Sequence, residues 1–119
     1  MKGSSRMEKI DDKIFLMHAE VCKAMANPIR LKVLSTLQYG EQSVEAMVKS
    51  LKLRKANLSQ HLAVLRQRGI VATRRDGLHI YYRCANPKML KACAILREVL
   101  LEQLAEGGRL INQVNRGRK

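Results

Sequence analysis

Between Lys55 and Arg83 the period of the apolar residues changes once, and that change constrains the fold more than any other feature. Over Lys55 to Arg68, Leu58, Leu62 and Leu65 fall on one side at 100° per residue, the spacing of a short amphipathic helix. After Gly69 the chain reads as extended: Ile70 to Arg75, then Asp76-Gly77, then Leu78 to Arg83. Asp-Gly between two β-branched or aromatic runs is among the stronger local signals for a hairpin.

Upstream the pattern is helical. Ile10, Ile14, Met17, Val21, Cys22 and Met25 recur every three or four residues and predict one stripe of a helix from Glu8 to Met25. Asn27 caps a second helix, Pro28 to Leu37, with Pro at its first position. Ser43 caps a third, Val44 to about Leu51, with Glu45 in its first turn, where the helix dipole favours a carboxylate. Past the hairpin, Asn86-Pro87 starts a last helix that runs to about Ala105. The expected fold is mainly α with a small β-hairpin: a winged helix-turn-helix of five helices plus a two-stranded wing. A chain of 119 residues suits one domain, expected over residues 1–107, with 108–119 as a basic, flexible tail.

Charge narrows the partner. The formal net charge is +13, and the thirty residues from Ala46 to Arg75 hold eight cations and no Asp or Glu. Such a balance favours polyanions. No apolar run approaches the roughly 18 residues of a spanning helix, and the start has no signal-peptide core, so a cytoplasmic protein is expected without a membrane partner. Three cysteines are an odd count, which argues against a structural disulfide framework.

Cations flanking a helix with amide and hydroxyl groups on its outer face are what reading duplex DNA requires. The expected DNA-binding set on that helix is Arg54, Lys55, Ala56, Asn57, Ser59, Gln60, His61 and Ala63. Gln60 can pair bidentately with an adenine edge, Ser59 can serve base or phosphate, and Ala56 and Ala63 let the helix sit deep. Arg54 and Lys55 stand where the dipole disfavours cations; either a phosphate docks there or they are solvated surface charges. His61, at the edge of the apolar face, reads more naturally as packed or bonded to the preceding helix. Arg74, Arg75 and His79 complete the set on the wing. As consecutive strand residues Arg74 and Arg75 project oppositely, so at most one of them can follow the DNA surface closely.

Four segments taken together resemble the ArsR/SmtB family of bacterial repressors. They are Met25 to Leu34, Asn57 to Arg66, Gly69-Ile70-Val71, and Asp76-Gly77 with Ile80 to Arg83. The resemblance covers about Ala19 to Pro87. It implies a homodimer assembled by the first and last helices, binding an imperfect palindrome of double-stranded DNA and leaving it when an inducer binds.

The family's sensing sites do not carry over. Gln42 to Val48 lacks the paired cysteines of one metal site, and Pro87 to Ala105 lacks the His and Asp of another. Ser35 lies on the helix where persulfide-responsive members carry a cysteine. Three thiols remain as candidates: Cys22, Cys84 and Cys93. With the first and last helices packed at an interface, Cys22 and Cys93 approach within or between subunits, and Cys84 completes a site for a thiophilic metal or metalloid, As(III) or Cd(II), with His18 as an extra ligand. A regulatory disulfide or sulfur bridge is a second reading, and plain apolar packing a third. No cofactor is required for DNA binding. The expectation is thus a sequence-specific, homodimeric transcriptional repressor and not an enzyme, since no His, Asp or Asn stands near a cysteine in a nucleophile motif. The alternative is an architectural or inducer-independent protein that binds DNA chiefly through charge.

Overall fold

A computed structural model describes the backbone over residues 2–107 and the side chains over 11–107. The predicted tail, 108–119, and the side chain of Ile10 lie outside the described residues. In chain order the elements are α1 (Lys2–Met25), α2 (Pro28–Leu37), β1 (Gln42–Ser43), α3 (Val44–Leu51), α4 (Lys55–Gln67), β2 (Val71–Asp76), β3 (His79–Cys84) and α5 (Pro87–Ala105). They form two compact units divided between Asn86 and Pro87. No described helix is long and apolar enough to cross a membrane.

In the first unit, α2, α3, α4 and the start of β2 enclose the core. Val33, Leu34, Met47, Leu58, Leu62, Leu65 and Ile70 are its fully buried side chains. Burying each such side chain stabilises the fold by about 1.5–3 kcal/mol relative to leaving it in water. Helix boundaries follow local chemistry. Asn27 Oδ1 accepts from the Ile29 and Arg30 amides at 2.9 and 3.2 Å, and Ser43 Oγ from the Ala46 amide at 3.1 Å. Helix α3 stops at Lys52, the one non-glycine among the described residues in the left-handed region, with φ 55°.

The end of α4 is a Schellman motif. Gly69 sits at φ 71°, its amide reaches Arg66 O at 3.0 Å, and the Ile70 amide reaches Leu65 O at 2.9 Å. Ile70 and Leu65, which this motif commonly brings together, are both fully buried. One device therefore ends the helix, anchors the core and launches β2.

The sheet differs from the predicted hairpin in two respects. It has three antiparallel strands in the order β1-β3-β2, because Gln42 and Ser43 pair with Tyr82 and Tyr81 of β3. A two-residue strand has too little period to be read from sequence. The turn is also shifted by one: Asp76 pairs with His79, so the loop is Gly77-Leu78 and not Asp76-Gly77. Gly77, at φ 63°, takes the first central position, which favours glycine in a type II′ turn.

The predicted stripe on α1 does not enter the core. Ala24 is the buried apolar residue among that helix's described side chains, whereas Ile14, Phe15, Leu16, Met17 and Cys22 are exposed. In the second unit, α5 likewise shows Ile95, Leu96, Val99, Leu101 and Leu104 to solvent.

Candidate nucleic-acid interface

With Leu58, Leu62 and Leu65 buried, the helical repeat sends Ala56, Asn57, Ser59, Gln60 and Ala63 outward, and all five are exposed. None of their side chains is engaged with another described residue, so Gln60 and Ser59 keep their full hydrogen-bonding capacity for an outside partner. Arg54 occupies the N-cap of α4 with extended backbone and no side-chain capping bond. The first amides of α4 are thereby left uncapped by protein, an arrangement suited to a phosphate oxygen.

The wing is charged unevenly. Arg74 is engaged: Nε donates to both Glu41 carboxylate oxygens at 3.2 Å, Nη2 pairs with Oε1, and Nη1 lies 3.9 Å from Asp76. Its guanidinium also stacks 4.7 Å above the centre of the Tyr81 ring. The hydrogen bond from Arg74 holds the Glu41 carboxyl below its usual range, and the same contact raises Arg74. Arg75, projecting oppositely, is exposed and has no ion-pair partner among the described residues. Of the two arginines, Arg75 is the one whose charge is uncommitted.

Glu45, at the start of α3, lies between α4 and the wing. Its carboxylate is 3.3 Å from His79 Nδ1 and 3.9 Å from Lys55 Nζ. The hydrogen bond with His79 is the main reason its carboxyl falls below the ordinary range, with Lys55 adding to it. His79 and Lys55, both in the sequence-derived set, thus share one protein carboxylate.

His61 differs from the five exposed residues of α4. It is half-buried, and its Nδ1 accepts from Arg30 Nε at 3.1 Å. The predicted bond to a neighbouring helix exists, but to α2 rather than to the preceding α3. Burial, reinforced by the Arg30 charge, pushes the imidazole below its usual range, so Nδ1 is bare and Nε2 carries the proton at neutral pH. Arg30 also donates through Nη1 to Ala24 O at 3.0 Å, tying the end of α1 to α4.

The three cysteines stand in different surroundings. Cys22 is exposed and Cys93 half-buried, both as free thiols, and Cys84 Sγ donates to Asn86 O at 3.3 Å. Among the described residues no three His, Cys, Asp or Glu side chains come together as metal ligands. The residues that sequence reasoning missed are Glu41, Tyr81 and Arg30. Each acts through a partner 7 or more positions away, and local periodicity carries no signal for such pairs.

Comparison with known proteins agrees with this geometry. Residues 27–73 match the family described as "Bacterial regulatory protein, arsR family". The chain is 34% identical over 107 residues to the uncharacterized HTH-type transcriptional regulator Rv0081 of Mycobacterium tuberculosis, spanning 89% of this chain and 94% of that one. It is 35% identical over 85 residues to a biofilm growth-associated repressor of Xylella fastidiosa, 71% of this chain and 75% of that one. A solved homodimeric winged helix-turn-helix domain, Mb0332 of Mycobacterium bovis, described as a possible ArsR-family regulator, superposes with a TM-score of 0.74 at 32% identity, covering 81% of this chain and 89% of that one. With its capped helix-turn-helix, its outward-facing Ser59 and Gln60 and its three-stranded wing, this chain belongs to the ArsR family of bacterial winged helix-turn-helix transcriptional regulators, and is not an enzyme.

Proposed function

We propose that this regulator is a homodimeric, cytoplasmic repressor that reads an imperfect palindrome with α4 in the major groove and is released by an inducer. The observation that carries the reading is the outer face of α4, where Ser59, Gln60, Ala56 and Ala63 are exposed together while the leucines opposite are buried. Gln60 discriminates an adenine edge, Ser59 and the open N-terminus of α4 at Arg54 take phosphate, and Arg75 follows the backbone beside the wing. Dimerisation through α1 and α5 is supported by the apolar side chains that both helices leave exposed, Phe15, Leu16, Ile95 and Leu96 among them. It is supported also by the homodimeric state of the Mycobacterium bovis neighbour. Two-fold symmetry then sets the half-sites about one helical turn, roughly 34 Å, or a multiple apart.

The test is binding of the protein to its own promoter and to a random duplex. Gln60→Ala is expected to cost about 1–3 kcal/mol on the promoter alone and to relax one base position, whereas Arg54→Ala weakens both duplexes alike. Wild-type protein with equal affinity for both duplexes would instead favour the architectural reading, in which charge alone does the binding.

A further inference from the structure

Beside the Arg30 bridge lies a cleft of about 200 Å³ that the DNA-reading face does not use. Helix α1 supplies Glu20, Lys23 and Ala24, α2 supplies Arg30, and Val64 and Arg68 come from α4 and its C-cap. A neighbouring hollow lined by Met17 and Val21 shares the Glu20 and Arg68 wall. Of the three cations, Arg68 is paired with Glu20 at 2.8 Å. Lys23 has no ion-pair partner among the described residues, and the two bonds of Arg30 go to neutral acceptors, His61 Nδ1 and Ala24 O. The cleft therefore holds two positive charges without a carboxylate partner, in a lining that also includes Ala24, Val64 and Gln67.

We propose that this cleft binds a small carboxylate with an apolar body, and that the occupant is the inducer class; the second half rests on the reading of the chain as an inducer-released repressor. The volume equals on the order of seven waters at about 30 Å³ each. That is below the roughly 300 Å³ at which sites for drug-sized ligands begin, so the occupant is a small metabolite. A carboxylate between Lys23 and Arg30 meets two cations that no protein carboxylate neutralises, and its apolar end meets Ala24 and Val64. The link to DNA is Arg30: a carboxylate that draws its guanidinium into the cleft weakens the Nε bond to His61, one residue from Gln60, and shifts the reading helix.

Benzoate is the probe, with benzamide as its neutral isostere and inorganic phosphate as an anion lacking the apolar body. In amide NMR titrations of the full chain without DNA, benzoate is expected to shift Lys23, Ala24 and the Val64 to Arg68 segment saturably, with a dissociation constant of about 1 mM or tighter. Benzamide and phosphate bind at least about tenfold more weakly, and Lys23→Gln, a change at an exposed side chain, weakens benzoate by a similar factor. Saturating benzoate then lowers promoter affinity about tenfold or more in the wild type and not in Lys23→Gln. No saturable shift, an equal response to benzamide or phosphate, or shifts centred on Gln60 and Arg54 overturns the site. Binding in the cleft with unchanged promoter affinity overturns its role as the inducer site. The NMR arm uses no DNA, so failure of the repressor reading and failure of the site are told apart.

Discussion

The two wing arginines offer a sharp test of the interface, because neighbours of identical chemistry are predicted to behave oppositely. Arg74 is balanced by Glu41 and Asp76 and stacked on Tyr81, whereas Arg75 is exposed without an ion-pair partner. A cation that neutralises a DNA phosphate releases condensed counterions and adds about 0.9 to the slope of log affinity against log salt. One phosphate per Arg75 in a dimer amounts to a slope of about 1.8, which Arg75→Ala removes. Between roughly 50 and 200 mM salt, the ratio of wild-type to variant affinity then falls by about twelvefold. The comparison is the double variant Arg74→Ala/Glu41→Gln, which deletes Arg74 together with the carboxylate it is hydrogen-bonded to, leaves the net charge unchanged, and keeps the wild-type slope. Fluorescence anisotropy of a labelled promoter duplex across that salt range measures both. A double variant whose slope flattens as much as that of Arg75→Ala refutes the division of labour between the two residues.

Three further outcomes concern the scaffold. Leu62→Ala, at a side chain 1% exposed, is expected to lose about 2–5 kcal/mol in urea denaturation, and a loss well under that contradicts the placement of α4 in the core. Asn27→Ala removes the acceptor of two α2 amides and is expected to cost about 0.5–2 kcal/mol with an unchanged denaturant slope; undiminished stability refutes the cap. The folded-state pKa of His61 lies below its ordinary 6.5, so the stability it supports is complete above the unfolded value and declines as pH falls through and below it. Thermal melts from about pH 7.5 to about pH 5 should therefore narrow the difference between wild type and His61→Gln, and a widening difference reverses the sign of the argument.

Helices α2 and α3 were legible in the sequence to the residue, because the signals that bound them, Asn27-Pro28 and Ser43, are local and chemically specific. The burial of Leu58, Leu62 and Leu65 followed from spacing alone. What escaped was of two kinds. Features too short for a period, such as β1 and the one-residue shift of the turn to Gly77-Leu78, are decided by pairing with β3 rather than by their own residues. Side-chain partnerships across 31 to 34 positions, Arg30 with His61, Arg74 with Glu41 and His79 with Glu45, exist only once the helices are packed. They commit Arg74 and His79 to carboxylates and His61 to Arg30, so the outward residues of α4 were readable in advance while the electrostatic state of the wing was not. The stripe on α1 shows the converse: period alone identifies an apolar face without saying what covers it.

Ser43 belongs to two structures at once, pairing with Tyr81 in the sheet and holding the first turn of α3 through its hydroxyl. No flexible linker separates the wing from the helix-turn-helix at that joint. In the proposed mode of binding, rod and ribbon then meet the double helix at a set offset, like the jaws of a caliper. A binding site whose groove geometry departs from that gauge must itself bend to be accepted, so the mechanical compliance of the DNA joins its base sequence as a criterion of choice.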